Sequence, residues 1–211
     1  DLTELTALSP ATFPAMRETI QTAQEAGTPF HVVHFDGHGV YDPAVGLGCL
    51  CFEDPEDLEK VTKRRTHIVD AGKLAEVIRD YHIPLVFLEA CQSAKAEKMP
   101  MSSVAAALLD HGVASVVAMS HSVLVQTAQR FVESFYQSLV QGKRIGQAML
   151  DGQNRLYDQQ SRIPVFGGGE IHLQDWFVPI LFQEKDDPRL FTHLPSDQIR
   201  ELDRAALQTR L

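Results

Sequence analysis

The chain has 211 residues, enough for one domain with its own apolar core, and its 44% hydrophobic and 22% charged residues are an ordinary globular balance. No apolar run approaches the roughly 20 residues that a membrane-spanning helix needs. The formal net charge of -9 argues against the attraction to phosphates on which nucleic-acid binding depends.

The first element in chain order is a helix over Pro14–Ala26, with Pro14 in its first turn and Gly27 closing it. Phe30–Phe35 is a short β-rich run, and the glycines around His38 in Asp36-Gly37-His38-Gly39 predict a sharp turn at its end. Gly46–Glu53 reads as a small hairpin arm, and Asp57–Thr66 as a charged, exposed stretch ending in Lys63-Arg64-Arg65. Asp70 caps a helix over Ala71–Tyr81. Pro84–Glu89 is continuously apolar up to its last residue, as a strand buried on both faces should be, and it runs into Ala90-Cys91-Gln92-Ser93.

Ser102–Asp110 is helical, and Val113–Met119 is a second buried strand. Val123–Gln141 and Arg144–Tyr157 are amphipathic helices whose apolar stripes belong to a core. Gln160–Leu173, with Gly167-Gly168-Gly169, is loop-like. Trp176–Phe182 reads as a strand, with Pro179 suiting an edge, and Ser196 caps a terminal helix. Strands alternating with helices predict an α/β fold: a mostly parallel sheet with helices on both faces, forming a three-layer sandwich. Active groups in such sheets gather beyond the carboxyl ends of the strands, where both His38 and Cys91 fall.

A cysteine just past a buried strand, where the chain turns back to solvent, can be reached by substrate, and a histidine nearby favours its thiolate. The alternative for Cys91 is a small buried hydrophobe, and for His38 a loop residue capping a turn. His34, inside the strand, is expected to pack or hydrogen-bond. Asp36 and Glu89 each stand two residues before one of the pair, and a period of two puts each acid on the same face as its partner. They either satisfy local structural groups or line a pocket for a basic side chain, with bidentate pairing favouring Arg over Lys. Cys49 and Cys51 are spaced too closely for a common zinc pair, so no metal is expected, and three cysteines suit reduced thiols in a cytoplasm.

His-Phe-Asp-Gly-His-Gly followed by Leu-Glu-Ala-Cys-Gln-Ser resembles the paired histidine–glycine and alanine–cysteine signatures of caspase-like cysteine peptidases (clan CD). More narrowly it resembles the CHAT subfamily. Gly112–Ser120, Phe135-Tyr136-Gln137-Ser138-Leu139 with Gly142, and Asp175-Trp176-Phe177 extend the similarity over residues 28–183.

The resemblance implies that Cys91 attacks the scissile carbonyl, that His38 serves as its acid and base, and that the N–H groups of Gly39 and Cys91 form the oxyanion hole. Positions equivalent to Asp36 and Glu89 shape specificity for basic residues in metacaspases. The subfamily often has serine where Glu89 stands, a departure that strengthens the acidic-pocket expectation. The implied function is an endopeptidase acting on proteins or peptides, without cofactor. An upstream domain or activator protein in prokaryotic antiviral defence or signalling would switch it on. A non-catalytic interaction module of the same fold is the alternative.

Residues 1–211 are expected to be a single domain cut from a longer chain, since Asp1 is not an initiator methionine and no strand precedes the first helix. Basic residues near Arg64, Arg65 and Arg162 are self-cleavage candidates.

Overall fold

A computed structural model describes residues 4–42, 47–57, 60, 65–90, 101–121, 123–162, 169–191, 197, 200 and 204. The chain divides into two compact units, one of Glu4–Ser122 with Phe182–Glu184, the other of Val123–Leu181 with the chain's two ends.

The chain's six-stranded sheet has the order β3-β2-β1-β4-β5-β8, and the first unit contains its strands β1 to β5 with Phe182 and Gln183 of β8. The sheet's strands are β1 (Val32–Asp42), β2 (Leu47–Glu53), β3 (Thr66–Asp70), β4 (Leu85–Ala90), β5 (Ser115–Met119) and β8 (Pro179–Gln183). β1, β4 and β5 are parallel, while β2 and β3 extend the sheet antiparallel beyond β1. The sheet is therefore mixed, and the arm expected at Gly46–Glu53 is one of its strands. Leu50, Val69, Val86, Leu88, Val116 and Ala118 point into a core shared with helices α1 (Phe13–Glu25), α2 (Ala71–Asp80) and α3 (Met101–Asp110). The alternate residues Leu85, Phe87, Val117 and Met119 are equally buried, which is why β4 and β5 read as continuous apolar runs.

Local chemistry sets the helix ends. Thr12 accepts a hydrogen bond from the Ala15 N–H at 3.2 Å and Asp70 accepts one from Lys73 at 3.0 Å, each capping a helix N-terminus. The stretch after β2 is not wholly exposed as expected. Asp57, in a short 3-10 turn (Pro55–Asp57), is buried at 1% exposure and accepts hydrogen bonds from Lys60 and Arg65. Arg65 as the first cause, then Lys60, holds the Asp57 carboxyl far below the usual carboxylate range.

The second unit pairs α4 (Val125–Val140) with α5 (Ile145–Asp158), burying Phe131, Phe135, Leu139, Met149 and Leu156. A Cβ at Gly152 would stand 2.5 Å from the Phe131 ring, so only glycine lets the two helices close here. The expected loop at Gln160–Leu173 contains a short antiparallel ladder, β6 (Ser161–Arg162) against β7 (Ile171–His172). Residues 163–168 and Ser196 lie outside the described residues. Trp176 and Phe177 are exposed turn residues rather than part of a strand. The strand begins at Pro179, which has no N–H for the ladder and starts a strand at the sheet edge. Among the described residues no helix is long and apolar enough to cross a membrane.

Candidate active site

His38 does not sit in a turn. β1 continues through Gly37, His38 and Gly39 to Asp42, and it changes partner as it goes. From Val32↔Leu85 to Gly37↔Ala90 it pairs in parallel with β4, and from His38↔Cys51 to Asp42↔Leu47 it pairs antiparallel with β2. Beyond Gly37, alternate residues of β1 bond to β2, and the residues between them turn their N–H and C=O groups the other way. A Cβ at Gly37 would lie 2.8 Å from the Phe35 ring, which folds back over it from two residues away, so a side chain there would have to displace that ring. His38 thus marks the place where the ladder passes from one neighbour to the other, and its side chain is exposed.

Side chains alternate across a strand. Val33 and Phe35 pack against the core, so His34, Asp36 and His38 stand on the opposite face. Their register partners share that face: Phe87 opposite His34, Glu89 opposite Asp36, and Cys51 opposite His38. Neighbouring strands lie about 4.8 Å apart, so the two carboxylates are adjacent on one surface. Glu89 Oε2 lies 3.2 Å from His34 Nε2, with the side chains 23% and 28% exposed. Asp36 is exposed, and among the described residues no cation reaches it. Cys51 is half-buried, and burial pushes its thiol pKa up, which leaves it mostly protonated near neutrality. Cys49 is buried and inert by comparison.

Cys91, with its N–H, lies outside the described residues. Gly39, the other expected oxyanion donor, is on β1 opposite Leu50. β5, beside β4, ends at Met119 and is followed by Ser120 and His121, whose Oγ and Nδ1 are 2.9 Å apart. Sequence reasoning passed over His121, because nothing in the local pattern marks it; only the strand order brings it near β4. His34 packs on Phe87 and hydrogen-bonds Glu89, as expected of a histidine inside the strand. Among the described residues no group of three His, Cys, Asp or Glu side chains could hold a metal ion.

The self-cleavage expectation at Arg162 is overturned. Its side chain is fully buried at 0% exposure, donating from Nε to Thr127 Oγ1 at 2.9 Å and from Nη2 to Asp175 Oδ1 at 2.7 Å. Thr127 passes the chain on by donating to Asp175 Oδ2. A side chain held this way cannot enter another enzyme's pocket while the unit is folded. Arg65 is 58% exposed but is engaged by Asp54, Glu56 and Asp57, and Arg64 lies outside the described residues. The second unit also has a surface hollow of about 500 Å³ beside Arg130, Ser161 and His172, but Arg130 is committed to the Gln159 and Ser161 carbonyls.

A parallel strand core carrying histidine and the approach to a cysteine on adjacent strands, with five helices among the described residues, defines an α/β sandwich of the caspase-like type. The model of the CHAT domain family matches residues 2–195, and the chain belongs to that family. Among curated proteins no relative matches it in sequence.

Proposed function

We propose that the chain is a cysteine endopeptidase that cuts after a basic residue, Arg before Lys, using Cys91 and His38. The observation that carries this is the register Asp36↔Glu89 followed by Gly37↔Ala90. The residue before His38 and the residue before Cys91 are ladder partners, and two carboxylates are paired one step behind them. His38 and Cys91 thus follow, in sequence, from neighbouring strands, each two residues after an acid.

In this mechanism the Cys91 thiolate attacks the carbonyl carbon of the substrate residue preceding the cut (P1). The N–H groups of Gly39 and Cys91 stabilise the oxyanion, a contribution of about 10²–10³ in rate for each donor. His38 protonates the departing amine, leaving a thioester, and then draws a proton from the water that hydrolyses it. Asp36 and Glu89 receive the P1 guanidinium or ammonium, and two acceptors side by side suit the guanidinium's fork. Family membership and the reduced-thiol composition further support a cytoplasmic enzyme switched on by an adjoining domain or activator protein, in prokaryotic defence or signalling.

The test is covalent labelling with a peptidyl-arginine chloromethyl ketone, followed by intact-mass and peptide analysis. One adduct on Cys91, absent from Cys91→Ala and prevented by a competing Arg peptide, is expected. Labelling of Cys51 or of no cysteine would contradict the assignment.

A further inference from the structure

Glu89 has a companion that basic-residue recognition does not by itself require. Its Oε2 is 3.2 Å from His34 Nε2. An ionised carboxylate only accepts, so Nε2–H is the donor. The imidazole is held in turn. It lies over the Phe87 ring, with centroids 4.5 Å apart and planes at 31°, and Phe87 is its fully buried register partner. A core side chain therefore orients a half-open ring, and the ring orients one carboxylate oxygen.

We infer that His34 is a positioning residue for specificity, fixing Glu89 so that Oε1 and the adjacent Asp36 carboxylate meet an incoming cationic side chain; this rests on the proposed function. A glutamate free in solvent loses rotamer freedom when a cation docks, which weakens binding. A glutamate already held by His34 has lost that freedom during folding. The choice of donor matters as well. Lys or Arg at position 34 would orient Glu89 equally well, but its permanent charge would pair with the carboxylate and cancel the attraction for substrate. Histidine donates without an obligatory charge. Asp36 and His38 are the titratable groups beside it on β1, and Glu89 is the one facing it from β4.

The experiment measures kcat and KM on matched peptides with Arg or norleucine at P1, for wild type, His34→Leu, His34→Gln and Glu89→Gln. Leucine keeps an apolar contact with Phe87 and removes the donor; glutamine keeps a donor of similar reach. His34→Leu should lower kcat/KM on the Arg peptide about tenfold, mainly through KM, and leave the norleucine peptide unchanged. His34→Gln should recover most of the loss, and His34→Leu should add little in the Glu89→Gln background. Equal losses on both peptides, or full additivity with Glu89→Gln, would overturn the inference by making His34 structural. If Glu89→Gln itself leaves Arg cleavage intact, the acidic pocket fails. If Glu89→Gln loses Arg cleavage and His34→Leu does not, only the role of His34 fails.

Discussion

Two carboxylate sites among the described residues are built to opposite ends. In the second unit Asp175 meets Arg162, whose side chain is fully buried and whose donors go to Asp175, Thr127 and two backbone carbonyls. On the sheet of the first unit Asp36 and Glu89 stand side by side, part-exposed, with His34 the only described side chain that reaches Glu89. The first cluster is closed, and its charges answer one another. The second is open to solvent, with the His34 imidazole as the described group beside it. A buried ion pair is architecture, since its desolvation is offset only by an internal partner. On the proposed function, an open pair of acids at a strand end receives a cation that arrives from outside.

The largest effect that would sharpen this contrast is on stability. Asp175→Asn leaves Arg162 buried beside a neutral partner, at a cost of about 3–5 kcal/mol. Thermal or urea unfolding should show a large loss, and an unchanged midpoint would break the comparison from the closed side. Asp36→Asn and Glu89→Gln should do the reverse. Each should lower kcat/KM on an Arg-P1 peptide about 10–100-fold, with unfolding and neutral-P1 cleavage little altered. Equal loss at every P1 residue would place these acids in the architecture instead.

Asp57 tests the closed type at smaller scale. Its pKa is depressed in the fold by Arg65 and Lys60, so its contribution to stability is present above the unfolded carboxyl pKa of about 4 and fades as pH falls below it. Asp57→Asn should therefore lower the melting temperature at pH 7 and narrow its gap from wild type near pH 3. A gap that stays constant across that range would show that the ion pairs add nothing.

How legible these features were follows from how local they are. The buried strands β4 and β5 were plain in the sequence because burial on both faces leaves an unbroken apolar run. Asp70 was plain as a cap, since its acceptor reaches only three residues on. Around His38 the expected turn is absent, and the chain stays in β1. Gly37 and Gly39 look like a turn, and only the non-local exchange of β4 for β2 keeps the chain extended. Asp57 looked exposed because it sits among charges, yet its partner Arg65 closes over it from eight residues away. Arg162 looked available in a Gly-rich segment, and only the fold brings Thr127 and Asp175 to it. The link between His34 and Glu89 spans 55 positions and needs the β1–β4 register before it can be seen.

The measurement that bears most directly on the central claim is cleavage of a peptide library scanning every P1 residue, run with wild type and Cys91→Ala. The account predicts cuts after Arg, fewer after Lys, and a loss of roughly 10⁴-fold or more in the variant. Cleavage that survives Cys91→Ala, or Cys91-dependent cleavage that prefers acidic or apolar P1 residues, would contradict it.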